Sequence, residues 1–313
     1  DRRVDLPQGH TVTLREIPVR RAAVYAPGGR NPYPSTVVMG AITARAAGVE
    51  EVVVCAPGAH PVILAACALC GVDEVLRMGG AHAVAALAYG TESVRRVDVI
   101  AGPGGLWVQE AKRQVSGDVG IDGFFGPSDL LVIADGGADP ELVAVDLLAQ
   151  AEHGAGTIVA LVTPYPPFAE AVAAQLRGES KAVAALVVVE DFEAALGVAE
   201  AFAPEHLELV GPGAEALAPR VRRAGCLFVG REAATAFGDY VAGSNHSLPT
   251  GGAARFASAL SPRAFRRRMA EVSIGAAAAA ALAPRGAPIA RAEGFRIHAE
   301  SMEARVGENG ANP

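Results

Sequence analysis

The chain has 313 residues, of which 51% are hydrophobic, 19% charged and 5% aromatic. This length and composition allow two domains with a sizeable apolar core. The formal net charge is −7 and no basic stripe is present, which argues against nucleic acid as the main partner. We expect no signal peptide and no membrane partner, because the Ala-rich run 275–283 is too short to span a bilayer. Four cysteines are too few for a disulfide framework, which favours a cytoplasmic location.

The first half of the chain alternates short apolar runs with helical patterns. The predicted strands are 22–25, 51–55, 73–77 and 97–101, and the predicted helices between them are 35–47, 60–70 and 81–89. Strands that alternate with helices are typical of a parallel sheet with right-handed crossovers.

A second series of the same kind follows. Its predicted strands are 130–134, 158–163, 185–189, 207–210 and 226–229, and its predicted helices are 140–153, 167–175 and 192–202. After Gly251 the strand pattern disappears, and we predict helices over 262–282 and 290–304, broken at Pro284 and Pro288. The sequence therefore predicts an α/β fold, with two related open, mostly parallel Rossmann-like sheet domains and a helical C-terminal tail.

Cys67 and Cys70 form a CxxC pattern, which could indicate a redox or zinc site. The pair lies inside an apolar stretch that reads as a helix packed on a sheet, and no second CxxC occurs. We therefore expect two buried, unreactive thiols.

Three predicted strand-to-helix junctions are rich in glycine, at residues 25–30, 78–82 and 101–105. None matches GxGxxG, so each could be a simple tight turn. Each could also present backbone N–H groups and a helix N-terminus to a phosphate. All three follow strands of one parallel sheet, and ligands of such sheets bind beyond the carboxyl ends of the strands.

Histidines with polar neighbours occur in four segments of the second half. These segments contain Gln150 with His153, Glu205 with His206, Asp239 with His246, and Glu293 with His298. A zinc site needs three or four nitrogen, oxygen or sulfur ligands, which this set could supply. Spacing alone leaves a metal site and ordinary structural histidines as alternatives.

At these residues the sequence resembles the histidinol dehydrogenase family. The matching segments are 25–39, 79–94, 102–104, 110–116 (EAKRQVS), 126–129 (GPSD), 146–154 (DLLAQAEHG), 204–209 (PEHLEL), 238–250 (GDYVAGSNHSLPT) and 298–305 (HAESMEAR). Together, and in this order, they cover most of the chain from Tyr25 onward and are highly specific.

The resemblance implies oxidation of L-histidinol, through histidinal, to L-histidine with two NAD and one zinc ion per subunit. The residues carried over by motif are Gln150, His153, Asp239 and His298 as zinc ligands; Glu205 and His206 as the acid/base pair; Ser128, His246 and Glu293, with Gln150, His153, His206, Asp239 and His298, as substrate contacts; and Tyr25 with the positions of His82 and Gly105 as cofactor contacts. It also implies a homodimer, in which the C-terminal tail contributes to the neighbouring active site.

With these roles we divide the chain into an N-terminal remnant (1–20), an NAD-binding-type domain (21–125), a second α/β domain carrying the zinc and acid/base residues (126–250), and the tail (251–313). Two positions depart from the family pattern: His82 replaces a usual Gln, and Gly105 replaces a usual Asn. Two alternatives therefore stay open. One is a paralogue acting on another small polar alcohol, and the other is a relative with impaired use of NAD.

Overall fold

A computed structural model describes residues 1–28, 31–58, 60–72, 74–176 and 181–306. The chain divides into two compact units, which are considered separately. Val19–Phe265 form one, here called the central unit, and Asp1–Pro18 with Arg266–Pro313 form the other, the terminal unit. The terminal unit begins with two antiparallel strands, β1 (Arg2–Asp5) and β2 (Thr11–Pro18).

The first parallel sheet of the central unit has the strand order β5-β4-β3-β6-β7. Its strands are β3 (Arg21–Tyr25), β4 (Glu51–Cys55), β5 (Glu74–Leu76), β6 (Val99–Ala101) and β7 (Gly120–Ile121). Its helices are α1 (Pro34–Ala46), α2 (Pro61–Leu69), α3 (Gly80–Tyr89) and α4 (Leu106–Val115). Every residue of β3 is buried, as expected for a central strand covered on both faces. Leu260 and Phe265, from the end of the central unit, join the same core.

The second parallel sheet has the order β10-β9-β8-β11-β12. Its strands are β8 (Asp129–Ala134), β9 (Ile158–Thr163), β10 (Val183–Val188), β11 (His206–Val210) and β12 (Cys226–Val229). Its helices are α5 (Pro140–Ala151), α6 (Pro166–Gln175), α7 (Phe192–Phe202), the short α8 (Pro212–Glu215) and α9 (Thr235–Tyr240). β8 and β11 lie at the centre and are buried along their whole length.

The two parallel sheets confirm the predicted fold class, and most predicted elements match within two residues. The strands at 51–55, 158–163 and 226–229 and the helix at 192–202 have the predicted bounds. The predicted strand 73–77 is shorter, Glu74–Leu76, and its first residue lies outside the described residues. Residues 29 and 30 of the first glycine loop also lie outside them, as does the polar end 307–313.

The predicted all-helical tail is wrong at residues 266–273. Arg266–Ser273 form a strand, β13, which pairs antiparallel with β2 and completes the three-stranded sheet β1-β2-β13. Most of its side chains are exposed, so the strand has no apolar run that could reveal it in the sequence. The register joins residues about 250 positions apart, as in Arg266 with Pro18.

The predicted break of the tail helix at Pro284 and Pro288 is also wrong. One helix, α10 (Ala276–Ala292), runs through both prolines and is followed by α11 (Arg296–Glu303). The prolines are four residues apart and exposed, whereas Ala283, Ala287 and Ala290 form the buried stripe. The carbonyls deprived of an N–H partner, at Ala280 and Pro284, belong to exposed residues, where water can satisfy them.

The CxxC prediction is confirmed. Cys67 and Cys70 are buried, free thiols associated with α2, and burial raises the pKa of both. A thiol with a raised pKa is a poor nucleophile at neutral pH. None of the described helices is long and apolar enough to cross a membrane.

Candidate active site

The glycine-rich loops follow β3, β5 and β6 at the carboxyl edge of the first sheet, as predicted. Two of them pack closely on Pro57, in the turn after β4. A Cβ atom on Gly28 would lie 2.8 Å from Cγ of Pro57, and one on Gly79 would lie 2.6 Å from the same atom. Larger residues at these two glycines would therefore push the loops apart.

Tyr25, the last residue of β3, has a buried side chain that contacts this edge. Its hydroxyl oxygen accepts a 2.9 Å hydrogen bond from the N–H of Gly80, the first residue of α3. Gly102 has a φ of +117°, and a Cβ there would lie 2.2 Å from the carbonyl oxygen of Tyr25. Tyr25 thus contacts the loops after β5 and β6.

The two positions that depart from the family pattern are both exposed at this edge. His82 lies in the first turn of α3. Gly105 is the residue before α4, and a Cβ there would meet no atom within 4 Å. An asparagine at position 105 would therefore fit without any steric conflict.

The polar residues of the second sheet gather at the opposite, amino edge of the strands. Ser128 precedes β8, and Glu205 directly precedes His206, the first residue of β11. Helices α5 and α9 each follow a strand and run back along the sheet. They therefore return Gln150 and Asp239, near their carboxyl ends, to the same edge.

A chain of hydrogen bonds connects three of these residues. The Gln150 side-chain amide donates to the Ser128 hydroxyl, which donates to Oε2 of Glu205. The same carboxylate oxygen accepts a 3.1 Å bond from the backbone N–H of Asp129. The Gln150 amide nitrogen is therefore engaged, and its carbonyl oxygen is the atom suited to bind a metal ion.

Asp129 is the residue that the sequence reasoning missed. Its Oδ1 accepts a 2.6 Å bond from the N–H of Glu205, its Oδ2 accepts from the N–H of Gly251 at 3.4 Å, and its carbonyl oxygen lies 3.2 Å from Nδ1 of His206. Asp129 and Glu205 lie one position before the paired residues Leu130 and His206. Each carboxylate thus satisfies the other residue's backbone N–H at the end of the sheet. The GPSD segment was a usable signal, but only its serine was assigned a role.

Three histidines share one mode of orientation. Nδ1 of His153, His206 and His246 lies 3.0, 3.2 and 3.1 Å from the backbone carbonyls of Gln150, Asp129 and Asp239, respectively. A carbonyl oxygen can only accept, so each Nδ1 carries the proton, and Nε2 of each neutral ring carries the lone pair. For His206 this nitrogen lies 4.0 Å from Oδ1 of Asp239.

His246 also connects the polar residues of the second sheet to the first sheet. Its Nε2 accepts a 3.0 Å hydrogen bond from the hydroxyl of Thr36, in the first turn of α1. Its neighbour Asn245 donates to the carbonyl oxygen of Met39 at 3.3 Å. The amino edge of the second sheet therefore lies next to the carboxyl edge of the first within the central unit.

Burial shifts the proton affinities of His206 and Glu205 in opposite directions. It lowers the pKa of His206 to about 4, although the Asp239 charge opposes the shift. Burial raises the pKa of Glu205 well above its usual range, against the bond from Ser128 and with help from the Asp129 charge. A neutral imidazole therefore stands beside a carboxyl group that readily holds a proton, with 3.7 Å between Nδ1 and Oε2.

Comparisons with known proteins identify the family of the chain. The family model for histidinol dehydrogenase matches residues 2–306. The chain is 46% identical to the histidinol dehydrogenase of Parasynechococcus marenigrum, over 98% of this chain and 74% of that protein. It is 45% identical to the enzyme of Pseudomonas aeruginosa, over 92% and 70% of the two chains. The crystal structure of the histidinol dehydrogenase from Elizabethkingia anophelis superposes with a TM-score of 0.91 at 31% identity, covering 97% of this chain and 75% of that one.

The chain belongs to the histidinol dehydrogenase family. It is therefore an oxidoreductase that acts on CH–OH groups, as predicted. For this member of the family, the central unit brings together most of the predicted site residues. They are Ser128, Gln150, Glu205, His206, Asp239 and His246, with His153 near enough for its charge to lower the pKa of His206 and His246.

Glu293 and His298 belong to the terminal unit, where both are exposed. The His298 ring lies 5.1 Å from that of Phe295, between centroids. Their roles as substrate contact and zinc ligand stay predictions.

Asp239 owes its position to a glycine. A Cβ on Gly238 would lie 2.5 Å from Cζ of Phe228, so the close approach of α9 to β12 depends on the absence of a side chain here. The Phe228 ring in turn lies 6.0 Å from the His206 ring, between centroids. The GDYVAGSNH segment of the histidinol dehydrogenase family thus places its carboxylate beside the imidazole of His206.

The donor chemistry of the central unit fits zinc in part. Amide oxygen, imidazole nitrogen and carboxylate are all zinc ligands, and Gln150, His153 and Asp239 supply one of each. The carboxyl end of α5, with its partial negative charge, lies at the same place and favours a cation. Over the described ranges, however, no three or more His, Cys, Asp or Glu side chains are gathered closely enough to hold a metal ion by themselves.

Proposed function

We propose that this protein oxidises L-histidinol to L-histidine through histidinal, with NAD as the acceptor and zinc as a required ion. The observation that carries the proposal is the buried pair of His206 and Glu205 beside Asp239, in a chain of this family. The proposed zinc ligands are Gln150, His153 and Asp239, with His298 supplied by a second subunit as the resemblance implies.

His206 serves as the base that takes the proton of the alcohol. The bond from its Nδ1–H to the Asp129 carbonyl leaves Nε2 free to accept this proton. Because burial lowers its pKa to about 4, the ring is neutral at pH 7 and ready to act as a base. Asp239, 4.0 Å from Nε2, stabilises the positive charge that develops on the ring.

Glu205 serves the second oxidation, in which water adds to the aldehyde. In its ionised form Glu205 can take a proton from water, and burial, which raises its pKa, makes that carboxylate a stronger base. Ser128 fixes the orientation of its carboxylate through the bond to Oε2. Glu205 and His206 thus divide the two proton transfers between adjacent residues.

When bound, zinc would orient the amine and imidazole of the substrate, and NAD would accept a hydride in each step. His153 and Asp239 would hold the metal through Nε2 and a carboxylate oxygen. The glycine loops and the first turn of α3 would face the dinucleotide, with Tyr25 supporting them from below.

The second candidate is a paralogue that oxidises another small polar alcohol. The observation that favours it is the double engagement of His246, whose ring nitrogens lie 3.1 Å from the Asp239 carbonyl and 3.0 Å from the Thr36 hydroxyl. A histidine held at both nitrogens is less able to contact an imidazole-bearing substrate. NAD reduction with a panel of amino alcohols and diols, in the presence of zinc, decides between the two candidates. Turnover of L-histidinol with at least a tenfold higher kcat/KM supports the first, and no turnover of L-histidinol at any NAD concentration overturns it.

The role of His206 is tested by His206→Asn, measured for bound metal and for NAD reduction. Loss of a general base commonly lowers the rate by ~10² to 10⁴, and we expect that loss with the metal content unchanged. His60→Asn is the matched control, because His60 only caps α2 through a bond from Val62 N–H, which asparagine can replace. Loss of zinc in His206→Asn would show that His206 is a ligand rather than a base.

A further inference from the structure

The EAKRQVS segment contains Lys112, a fully buried lysine to which the proposed mechanism gives no role. It lies on α4 and its ammonium group uses all three of its protons. Nζ donates to the carbonyl oxygen of Gly102 at 2.7 Å, to Oδ1 of Asp122 at 2.5 Å and to the carbonyl oxygen of Gly123 at 3.4 Å. The same group lies 5.5 Å from the centre of the Phe125 ring.

Asp122 also binds Gly102 through a hydrogen bond. Its Oδ2 accepts a 2.6 Å bond from the Gly102 N–H, while Lys112 holds the Gly102 carbonyl. Both polar groups of one glycine are thus bound by one ion pair. Burial raises the pKa of the Asp122 carboxyl, but an ammonium at 2.5 Å and an N–H at 2.6 Å both favour its ionised form.

The conformation of Gly102 depends on its being glycine. Its φ of +117° is one that glycine adopts readily and other residues rarely do, and it lies directly against the Tyr25 carbonyl. From Gly102 the loop leads to Gly105, the residue before α4. Its shape decides where the first N–H groups of α4 point.

The segment that follows Asp122 leads to the polar residues of the second sheet. The carbonyl of Phe125 accepts from the N–H of Gly104 at 3.3 Å and from the side-chain amide of Gln109. Three residues further on lies Ser128, which binds Glu205. The ion pair therefore lies between the glycine loop after β6 and the segment that leads to Ser128.

We propose that Lys112 and Asp122 form a buried clasp that positions the 102–105 loop to bind a dinucleotide cofactor. The inference rests on the proposed use of NAD. A buried ion pair stabilises a fold no better than apolar residues of the same volume, so the distinctive contribution of this pair is the orientation of the Gly102 peptide groups. Lys112 and Asp122 are positioning residues, because both are too deeply buried to reach the cofactor.

The test compares wild type with the double variant Lys112→Met/Asp122→Asn, which removes both charges and keeps an oxygen for the Gly102 N–H. NAD affinity is measured by calorimetry, thermal stability by the unfolding midpoint, and loop order by hydrogen exchange over 102–106. Trp107, the single tryptophan and 81% exposed, reports on the loop by fluorescence. We expect the Kd for NAD to rise by ~10 to 100-fold, since small displacements of a binding group cost factors of this size. Hydrogen exchange at 102–106 should be faster.

The matched control is Arg113→Met/Glu110→Gln, which removes an exposed ion pair from the same helix. It should leave the Kd for NAD within about twofold. An NAD affinity in the clasp variant within the same twofold, even with a lower unfolding midpoint, overturns the proposal.

If the double variant does not fold, Lys112→Arg decides. It keeps the charge but cannot place three donors in the same geometry, and an unchanged Kd there also overturns the clasp. Wild type that binds no NAD overturns the proposed cofactor, and the clasp's dinucleotide role with it. Tight binding by wild type and variant alike removes only the clasp.

Discussion

The two parallel sheets have the same architecture but carry their functional groups at opposite edges. The first presents glycine loops at the carboxyl ends of its strands, where the proposed binding groups belong to the backbone. The second presents Glu205, His206 and Asp239 at the amino ends of its strands, where the proposed catalytic groups are side chains. With the proposed function, the familiar rule that ligands lie beyond the carboxyl ends of strands applies to one half of the central unit only.

The chain connection explains why opposite edges are used. Strand β7 ends at Ile121, at the carboxyl edge of the first sheet, and β8 begins at Asp129, at the amino edge of the second. The short segment 122–128 joins these two edges directly. The hydrogen bond from Thr36 to His246 and that from Gly126 N–H to Thr250 Oγ1 hold them together. A cofactor on one edge can thus face a substrate on the other.

The comparison is tested most strongly by Asp129→Ala, which removes a carboxylate at the amino end of β8. Without it the N–H of Glu205 loses its acceptor, so Glu205 loses its alignment. The backbone carbonyl that faces Nδ1 of His206 remains, so His206 is disturbed only through its neighbour Glu205. We expect kcat to fall by ~10 to 100-fold, with a smaller change in KM for L-histidinol. The buried N–H left unsatisfied should cost about 1–3 kcal/mol of unfolding free energy, measured in urea.

The control lies at the other end of the same strand. Asp135 follows β8 at the carboxyl edge, where its oxygens accept from the N–H groups of Gly137 and Gly213, both at 3.0 Å. Asp135→Ala should destabilise the fold by a similar amount but leave kcat unchanged. Asp129→Asn keeps an oxygen for the Glu205 N–H and should recover part of the rate. Equal losses of kcat at positions 129 and 135 would mean that only stability matters.

A second test concerns Glu208, the acidic residue two positions after His206 on β11. It lies beside Asp146 of α5, one turn before Gln150, and burial followed by the Asp146 charge raises its pKa to about 9. The folded protein therefore holds a proton here that the unfolded chain releases above its ordinary pKa of 4.5. The resulting stabilisation is complete below pH 4.5 and is lost as pH rises towards 9.

We expect Glu208→Gln to flatten this fall in the free energy of unfolding between about pH 5 and 9. At pH 8 the variant should be more stable than wild type by about 1–3 kcal/mol, because its amide can donate to Asp146 without a proton from solvent. Chemical unfolding at several pH values measures the effect. Glu232→Gln, at an exposed glutamate, should leave the pH dependence unchanged. A pH profile that is the same for Glu208→Gln and wild type contradicts the prediction.

Most elements of the two sheets could be predicted because their strands are apolar runs that alternate with helical patterns, but β7, α4, α8 and α9 were not predicted. β13 could not, because its exposed residues have no pattern and its partner β2 lies at the other end of the chain. The site residues were found through family motifs, whereas spacing alone left them ambiguous. Asp129 was missed because its importance depends on the register that sets it beside Glu205. The shared Nδ1–H orientation of the histidines likewise depends on which carbonyls the fold places next to them.

The smallest expected effect belongs to Gly105→Asn. This variant tests whether the loops of the first sheet bind the dinucleotide through their backbone alone. Asparagine meets no steric conflict at this position and is a favourable residue before a helix, so the unfolding midpoint should stay the same or rise slightly. If a side chain here contacts the dinucleotide, the KM for NAD should fall by about threefold, the gain of a single exposed hydrogen bond. Gly105→Ala fills the same space without a polar group and should leave the KM unchanged. An equal KM for all three proteins would mean that no side chain at position 105 contributes to NAD binding. The loop of the first sheet would then bind the cofactor through its backbone, in contrast to the side chains at the amino edge of the second sheet.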